Sequence, residues 1–176
     1  MVVSASLGKG YSVWLTLEAG TLEFEFLWKL IQEVSARYGT PVFIPHVTLA
    51  SEIEGAREEV LRKARQLAFE LSSFVVELGS VDSHGIYFQI LFANVRQSNA
   101  MNAARAAACE VFQVNNADYL PHLSLAYGEL SEAQVGNLEL TELDEGRAVR
   151  NMRFLVHELQ LWHTDGEVAT WSHIAT

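Results

Sequence analysis

Two short runs of the chain carry one chemistry-bearing pattern. Phe43-Ile44-Pro45-His46-Val47-Thr48-Leu49-Ala50 aligns with Tyr119-Leu120-Pro121-His122-Leu123-Ser124-Leu125-Ala126, with Pro, His, Leu and Ala identical at matching positions and conservative changes elsewhere. Residues i and i+2 of a strand project to the same face. If both runs are strands, each buries aliphatics on one side, Val47 and Leu49 or Leu123 and Leu125. Each offers an imidazole and a hydroxyl on the other, His46 with Thr48 and His122 with Ser124. Cα atoms two residues apart on a strand are separated by about 7 Å, so both tips can converge on one small anion. Ala50 and Ala126, next on the same face, leave room for it.

Two such strands facing each other across a pseudo-twofold axis set two imidazoles on opposite sides of one centre. In-line displacement at phosphorus needs that arrangement. One imidazole takes a proton from attacking water and the other gives a proton to the departing alkoxide. Histidine suits both roles because its ordinary pKa lies near neutrality, and each proton transfer is typically worth about 10²–10⁴-fold in rate. Thr48 and Ser124 can donate to the non-bridging oxygens, whose charge the transition state redistributes. The chemistry calls for no metal and no cofactor.

Other readings of these residues are weaker. A single His-x-Thr or His-x-Ser is most simply a strand histidine with satisfied hydrogen bonds, but packing does not demand histidine twice in one repeated context. Catalytic zinc normally adds a third histidine or a carboxylate to a pair, and neither run carries one nearby. Ser124 lacks the strained Gly-x-Ser-x-Gly turn of a hydrolase nucleophile. His84, His157, His163 and His173 have no hydroxyl two residues on and read as structural or surface residues. Trp14 and Tyr87, on runs that could flank the cleft, are the candidates for stacking on a substrate ring.

The elements that must position the repeat are legible from periodicity and turn residues. Tyr11–Leu17 alternates and reads as a strand. Thr21–Tyr38 has helical spacing and stops at Gly39 and Pro41. Val42–Ala50 is a strand, and Ala56–Leu71 a helix with an apolar face. Phe74–Val81 and Ile86–Val95 are strands around a Ser83-His84-Gly85 turn. Ser98 caps an alanine-rich helix running to about Phe112. Pro121–Tyr127 is a strand, and Ser131-Glu132-Ala133-Gln134 has the form of a capping box. Arg153–Trp162 and Val168–Ile174 form a closing hairpin around Asp165-Gly166. The interspersed order, without strict βαβ alternation, predicts an α+β fold. The expectation is a single domain over residues 1–176, bilobal and duplicated, with two antiparallel sheets facing a central cleft and helices outside.

Composition narrows the partners. The chain has 176 residues and a formal net charge of -10. A polynucleotide is usually held by a basic track that displaces counterions, and none is visible, so long nucleic acid is not expected. Cys109 is the only cysteine, which excludes an intrachain disulfide and fits a reducing compartment. The first ten residues lack a basic segment leading into an apolar stretch, and no apolar run approaches the roughly 20 residues of a membrane span. A cytoplasmic monomer without a membrane partner is expected.

At the paired motifs the chain resembles the two-histidine (2H) phosphoesterase superfamily, and within it the plant and yeast-type cyclic phosphodiesterases. The likeness includes Tyr11-Ser12-Val13-Trp14, Pro45-His46-Val47-Thr48, Phe88-Gln89, Pro121-His122-Leu123-Ser124-Leu125 with Tyr127, Glu129-Leu130, Thr164-Asp165 and Trp171. It implies a bilobal fold with a water-filled cleft. It implies hydrolysis of ADP-ribose 1'',2''-cyclic phosphate to ADP-ribose 1''-phosphate, and of nucleoside 2',3'-cyclic phosphates to 2'-phosphates. His46, Thr48, His122 and Ser124 match the catalytic tetrad, and Tyr127 matches a tyrosine near the substrate phosphate. The single cysteine departs from plant members, so any disulfide control is not carried over, and the loop around Ser83-His84 differs in length. The competing readings are an RNA-end enzyme of the same superfamily, acting on 2',3'-cyclic termini or 2'-5' linkages, and a non-catalytic nucleotide-binding module.

Overall fold

The computed structural model describes residues 7–114, 119–141, 149–156 and 158–176. Among these, eight strands and four helices follow in the order β1 (Tyr11–Thr16), α1 (Leu22–Tyr38), β2 (His46–Ile53), α2 (Arg57–Glu70), β3 (Phe74–Asp82), β4 (Leu91–Val95), α3 (Asn99–Phe112), β5 (His122–Ala126), α4 (Glu132–Thr141), β6 (Arg153–Val156), β7 (Glu158–His163) and β8 (Ser172–Ala175). The α+β, antiparallel expectation holds.

Local chemistry sets the helix ends. Phe24 N–H donates to Thr21 Oγ1 at 3.3 Å to start α1, and Gly39, left-handed at φ +70°, ends it. Met101 N–H donates to Ser98 Oγ at 3.1 Å at the start of α3. The box ahead of α4 is reciprocal, with Gln134 N–H donating to Ser131 Oγ at 3.3 Å and Ser131 N–H to Gln134 Oε1 at 2.9 Å. The buried faces of α1 (Leu27, Leu30, Val34), α2 (Val60, Ala64, Leu67) and α3 (Met101, Ala104, Ala108) share one apolar core with the sheet.

The strands run in the spatial order β6-β3-β4-β5-β2-β1-β7-β8. The two sheets expected from the sequence are thus halves of one ladder, joined where β2 meets β5 with Val47 opposite Leu123. The run read as one strand, Arg153–Trp162, is divided. Its first part pairs with β3 in one half, and its second part pairs with β1 in the other. One residue separates them, so the distant ends of the ladder come together and the sheet curls into a half-barrel around a cleft.

Both motif strands begin at the histidine, because the prolines before them have no N–H to offer a ladder. Both also carry a bulge at the same place. Trp14 faces Thr48 and Val13 faces Ala50, which leaves Leu49 as the extra residue. Phe92 faces Ser124 and Leu91 faces Ala126, which leaves Leu125 extra. A bulge resets the alternation of faces. Ala50 and Ala126 therefore turn into the core instead of flooring the site, and Ser51 and Glu52 line the cleft. Ile86–Val95 also differs from expectation. Tyr87–Gln89 is a 3₁₀ turn, closed by His84 N–H donating to the Gln89 carbonyl at 2.9 Å, and only Leu91–Val95 is strand.

Among the described residues no helix is long and apolar enough to cross a membrane.

Candidate active site

His46, Thr48 and His122 line one cavity of about 590 Å³ between the halves of the sheet, together with Trp14 and Tyr127. The two histidines are held alike. His46 Nδ1–H donates to the Ile44 carbonyl and His122 Nδ1–H to the Leu120 carbonyl, each at 2.7 Å. A carbonyl can only accept, so both Nδ1 atoms carry hydrogen, and Nε2 of each ring is left for the reaction. The aromatic-aliphatic-Pro-His run makes this bond with its own backbone two residues upstream, which explains why the repeat extends before the histidine.

Each ring also leans on an aromatic of the next strand. Trp14 of β1 stacks on His46 with centroids 3.7 Å apart and planes 11° from parallel. At the equivalent place on β4, Phe92 meets His122 edge-on at 5.1 Å and 65°. Trp14 is also stacked on Trp162 of β7, at 4.6 Å and 21°. Trp14 lines the cavity with only 2% of its surface exposed, most of its ring being taken up by His46 and Trp162. Tyr87 lies in the 3₁₀ turn, outside the cavity lining, with its ring edge-on to Phe88 at 4.9 Å.

The two hydroxyls of the repeat are not equivalent. Thr48 faces the cavity, whereas Ser124 is buried, stands outside the lining, and donates through Oγ to the Phe88 carbonyl at 3.2 Å. The Tyr127 hydroxyl sits 3.3 Å from His46 Nε2. Phe43 stacks on the Tyr127 ring at 3.9 Å and 22°. Burial pushes the Tyr127 phenol up from its ordinary value, so it keeps its proton and can donate.

Burial also depresses both imidazoles. His46 falls to about 3, chiefly through desolvation; the Ile44 carbonyl opposes this and His122 adds to it. His122 is lowered first by desolvation, with the Leu120 carbonyl opposing, His84 adding to the lowering, and the Phe88 carbonyl opposing. His84, read as a surface residue, thus stands close enough to influence His122. His163 and His173 pack against Tyr11 and Trp162, with centroids 5.0 and 5.4 Å apart. His157 lies outside the described residues.

Four residues that the repeat or the likeness included without a site role, Gln89, Phe88, Tyr119 and Trp171, line the cavity. Tyr119 opens the second repeat run, and its hydroxyl donates to the Thr48 carbonyl. Arg105 of α3 lies over the Tyr119 ring at 4.0 Å and donates to the carbonyl of the bulged Leu49. Val47 and Leu123 are the one β2–β5 pair among the described residues, and beyond it these two side chains bond the next two β2 carbonyls. Phe92 was detectable by extending the repeat to the preceding strands, where it takes the place of Trp14. Among the described residues no group of three or more His, Cys, Asp or Glu is placed to hold a metal ion.

The family described as cyclic phosphodiesterase-like proteins matches residues 9–176. A curated relative from Arabidopsis thaliana, named cyclic phosphodiesterase, is 26% identical over 170 residues, covering 94% of this chain and 92% of its own. The fold is shared with LigT of E. coli in its apo form, at a TM-score of 0.58 and 18% identity, over 97% of this chain and 96% of that one. TT0787 of Thermus thermophilus is similar at a TM-score of 0.56 and 16% identity, with 94% of each chain covered.

Proposed function

The chain belongs to the cyclic phosphodiesterase-like family, as an enzyme of the 2H phosphoesterase type, and on that premise we propose that it opens small cyclic phosphates by metal-free, in-line attack of water. His46 serves as general base and His122 as general acid. The observation that carries the reading is that two imidazoles, one from each half of the sheet, share one cavity with Nδ1 tied to backbone and Nε2 left for proton transfer.

The hydrogen-bond environments support the division of roles. His46 Nε2 meets the Tyr127 hydroxyl, a group that can donate to a neutral ring. Beside His122 the Leu120 and Phe88 carbonyls favour the protonated ring, against the larger lowering by burial. The first setting suits imidazole and the second imidazolium. In the reaction, the attacking water takes the place of the Tyr127 hydroxyl at His46 Nε2, and Nε2 takes its proton as the water oxygen bonds to phosphorus. The bond from phosphorus to one ribose oxygen breaks, and that oxygen receives the proton of His122. Thr48 donates to a non-bridging oxygen. Ser124 joins it after exchanging its bond to the Phe88 carbonyl for one to the substrate.

The substrates proposed are ADP-ribose 1'',2''-cyclic phosphate and nucleoside 2',3'-cyclic phosphates. The cavity volume fits a nucleotide-sized ligand. LigT has been seen complexed with 3'-AMP and with ATP, and Usb1 of Kluyveromyces marxianus with uridine monophosphate. The net charge of -10 weighs against long RNA, and the single Cys109 suits a reducing, cytoplasmic setting. Product analysis tests the proposal. ADP-ribose 1'',2''-cyclic phosphate and the four 2',3'-cyclic nucleotides are incubated with enzyme and a chelator, beside an RNA oligomer with a 2',3'-cyclic end. Monoester products, with 2'-phosphates from the nucleotides, are expected. Turnover of the oligomer alone, or loss of activity with the chelator, would overturn it.

A further inference from the structure

Between β3 and β4 the chain closes on itself. His84 N–H donates to the Gln89 carbonyl, and Gln89 N–H to the Ile86 carbonyl, both at 2.9 Å. Gly85 supplies the left-handed bend at φ +67°. The side chains repeat the clasp, with His84 Nδ1–H donating to Gln89 Oε1 at 2.8 Å. His84 is exposed to solvent, outside the cavity lining, with its ring edge-on to Phe92 at 4.9 Å. Gln89 lines the cavity, beside Phe88.

A carboxamide has one accepting end and one donating end. His84 takes the accepting end. The Nε2 donors are the end left for a ligand, and among the described residues they have no partner. The side chain is also ordered before any ligand arrives, so a bond to it loses little further conformational freedom. Phe88 and Trp171, stacked at 5.9 Å and 30°, form an aromatic wall in the same cavity.

We infer that Gln89 is a substrate-contacting specificity residue and that His84 acts through it as a positioning residue. Gln89 Nε2 donates to an oxygen of the substrate outside the cyclic phosphate. That oxygen is a base carbonyl in a cyclic nucleotide or a diphosphate oxygen in the ADP-ribose compound. The inference rests on the hydrolase reading above and adds what the cavity selects beyond the reacting ring.

The test uses steady-state kinetics on wild type, Gln89→Ala, Gln89→Glu and His84→Phe. Three substrates are compared: 2',3'-cyclic UMP, ADP-ribose 1'',2''-cyclic phosphate, and glycerol 1,2-cyclic phosphate, which has the cyclic diester but neither base nor diphosphate. Both Gln89 variants are expected to raise KM about tenfold on one of the first two, with kcat little changed and the glycerol compound unaffected. The substrate that responds identifies the oxygen. His84→Phe should give the same pattern, weaker. Equal effects on all three substrates, a fall in kcat alone, or no effect would overturn the inference. If wild type turns over none of them, calorimetry with 2'-UMP and ADP-ribose 1''-phosphate separates the two ideas. Weaker binding to Gln89→Glu keeps the contact while the hydrolase reading falls, and unchanged binding removes the contact.

Discussion

The Tyr127 hydroxyl lies 3.3 Å from Nε2 of His46, so one phenol from the second half of the sheet touches the reactive nitrogen of the first. Tyr127→Phe removes that hydroxyl and keeps the ring that stacks on Phe43. One neutral hydrogen bond is worth on the order of 1 kcal/mol, so kcat is expected to fall about tenfold, with the melting temperature nearly unchanged. Stopped assays beside thermal melts check both halves of this expectation.

The dependence of rate on pH should be bell-shaped and displaced to acid. The base His46 is held down to about 3, mainly by burial, so the rising limb of kcat/KM lies far below the ordinary histidine range. The acid His122 is also lowered, again mainly by burial, so the falling limb should come below pH 6.5 in the free enzyme. A bound phosphate is anionic and favours the charged ring, which moves the falling limb of kcat upward relative to that of kcat/KM. Profiles collected from pH 3 to 9 would contradict this if the two falling limbs coincided above 7.

Stability should share the acid sensitivity. His46 has a folded pKa of about 3 against 6.5 unfolded, so the unfolded chain binds more protons between those values. The stabilisation that His46 gives by remaining neutral is complete above about pH 6.5. It is lost progressively as pH falls toward 3. His46→Asn, which keeps an N–H for the Ile44 carbonyl, should flatten the decline of melting temperature between pH 7 and 4. It should also cost at least about 10²-fold in rate. An equally steep decline in the variant would assign the acid sensitivity to other groups.

Trp14 should act on both rate and stability. It is buried between His46 and Trp162, and truncating a core tryptophan to alanine typically costs about 3–5 kcal/mol. Trp14→Phe keeps a flat ring against the imidazole and should retain most activity. Trp14→Leu should melt earlier and lose on the order of 10²-fold in kcat, because the ring of His46 is no longer fixed. Equal kcat in the two variants would show that orientation by stacking contributes nothing.

Tyr119→Phe separates support of the cleft from chemistry at it. The lost hydroxyl removes a part-buried hydrogen bond to the Thr48 carbonyl, a loss of about 1 kcal/mol. Denaturant unfolding should report that loss, with a smaller fall in kcat than Tyr127→Phe produces.

The repeated run made the two histidines and Thr48 legible, because alternation, residue type and duplication all pointed the same way. Ser124 was read as the twin of Thr48, but a strand pattern cannot show that the Phe88 carbonyl already accepts from it. Trp14 was read as a candidate ring contact for substrate, and its contact with His46 was not foreseen. Only the register across β1 and β2 places it over His46. The bulges at Leu49 and Leu125 were hidden because leucine suits a regular strand as well as a bulge. They reversed the expectation for Ala50 and Ala126. Gln89 was missed because Ile86–Val95 reads as continuous strand, and the turn that presents it depends on a clasp from His84.

The single-residue step from β6 to β7 also orders events during synthesis. The half containing β3, β4, β5 and β6 has all its strands once residue 156 has emerged. Strand β1, near the start of the chain, waits for β7 near its end. Because nascent segments form structure as their partners appear, the half begun first is completed last.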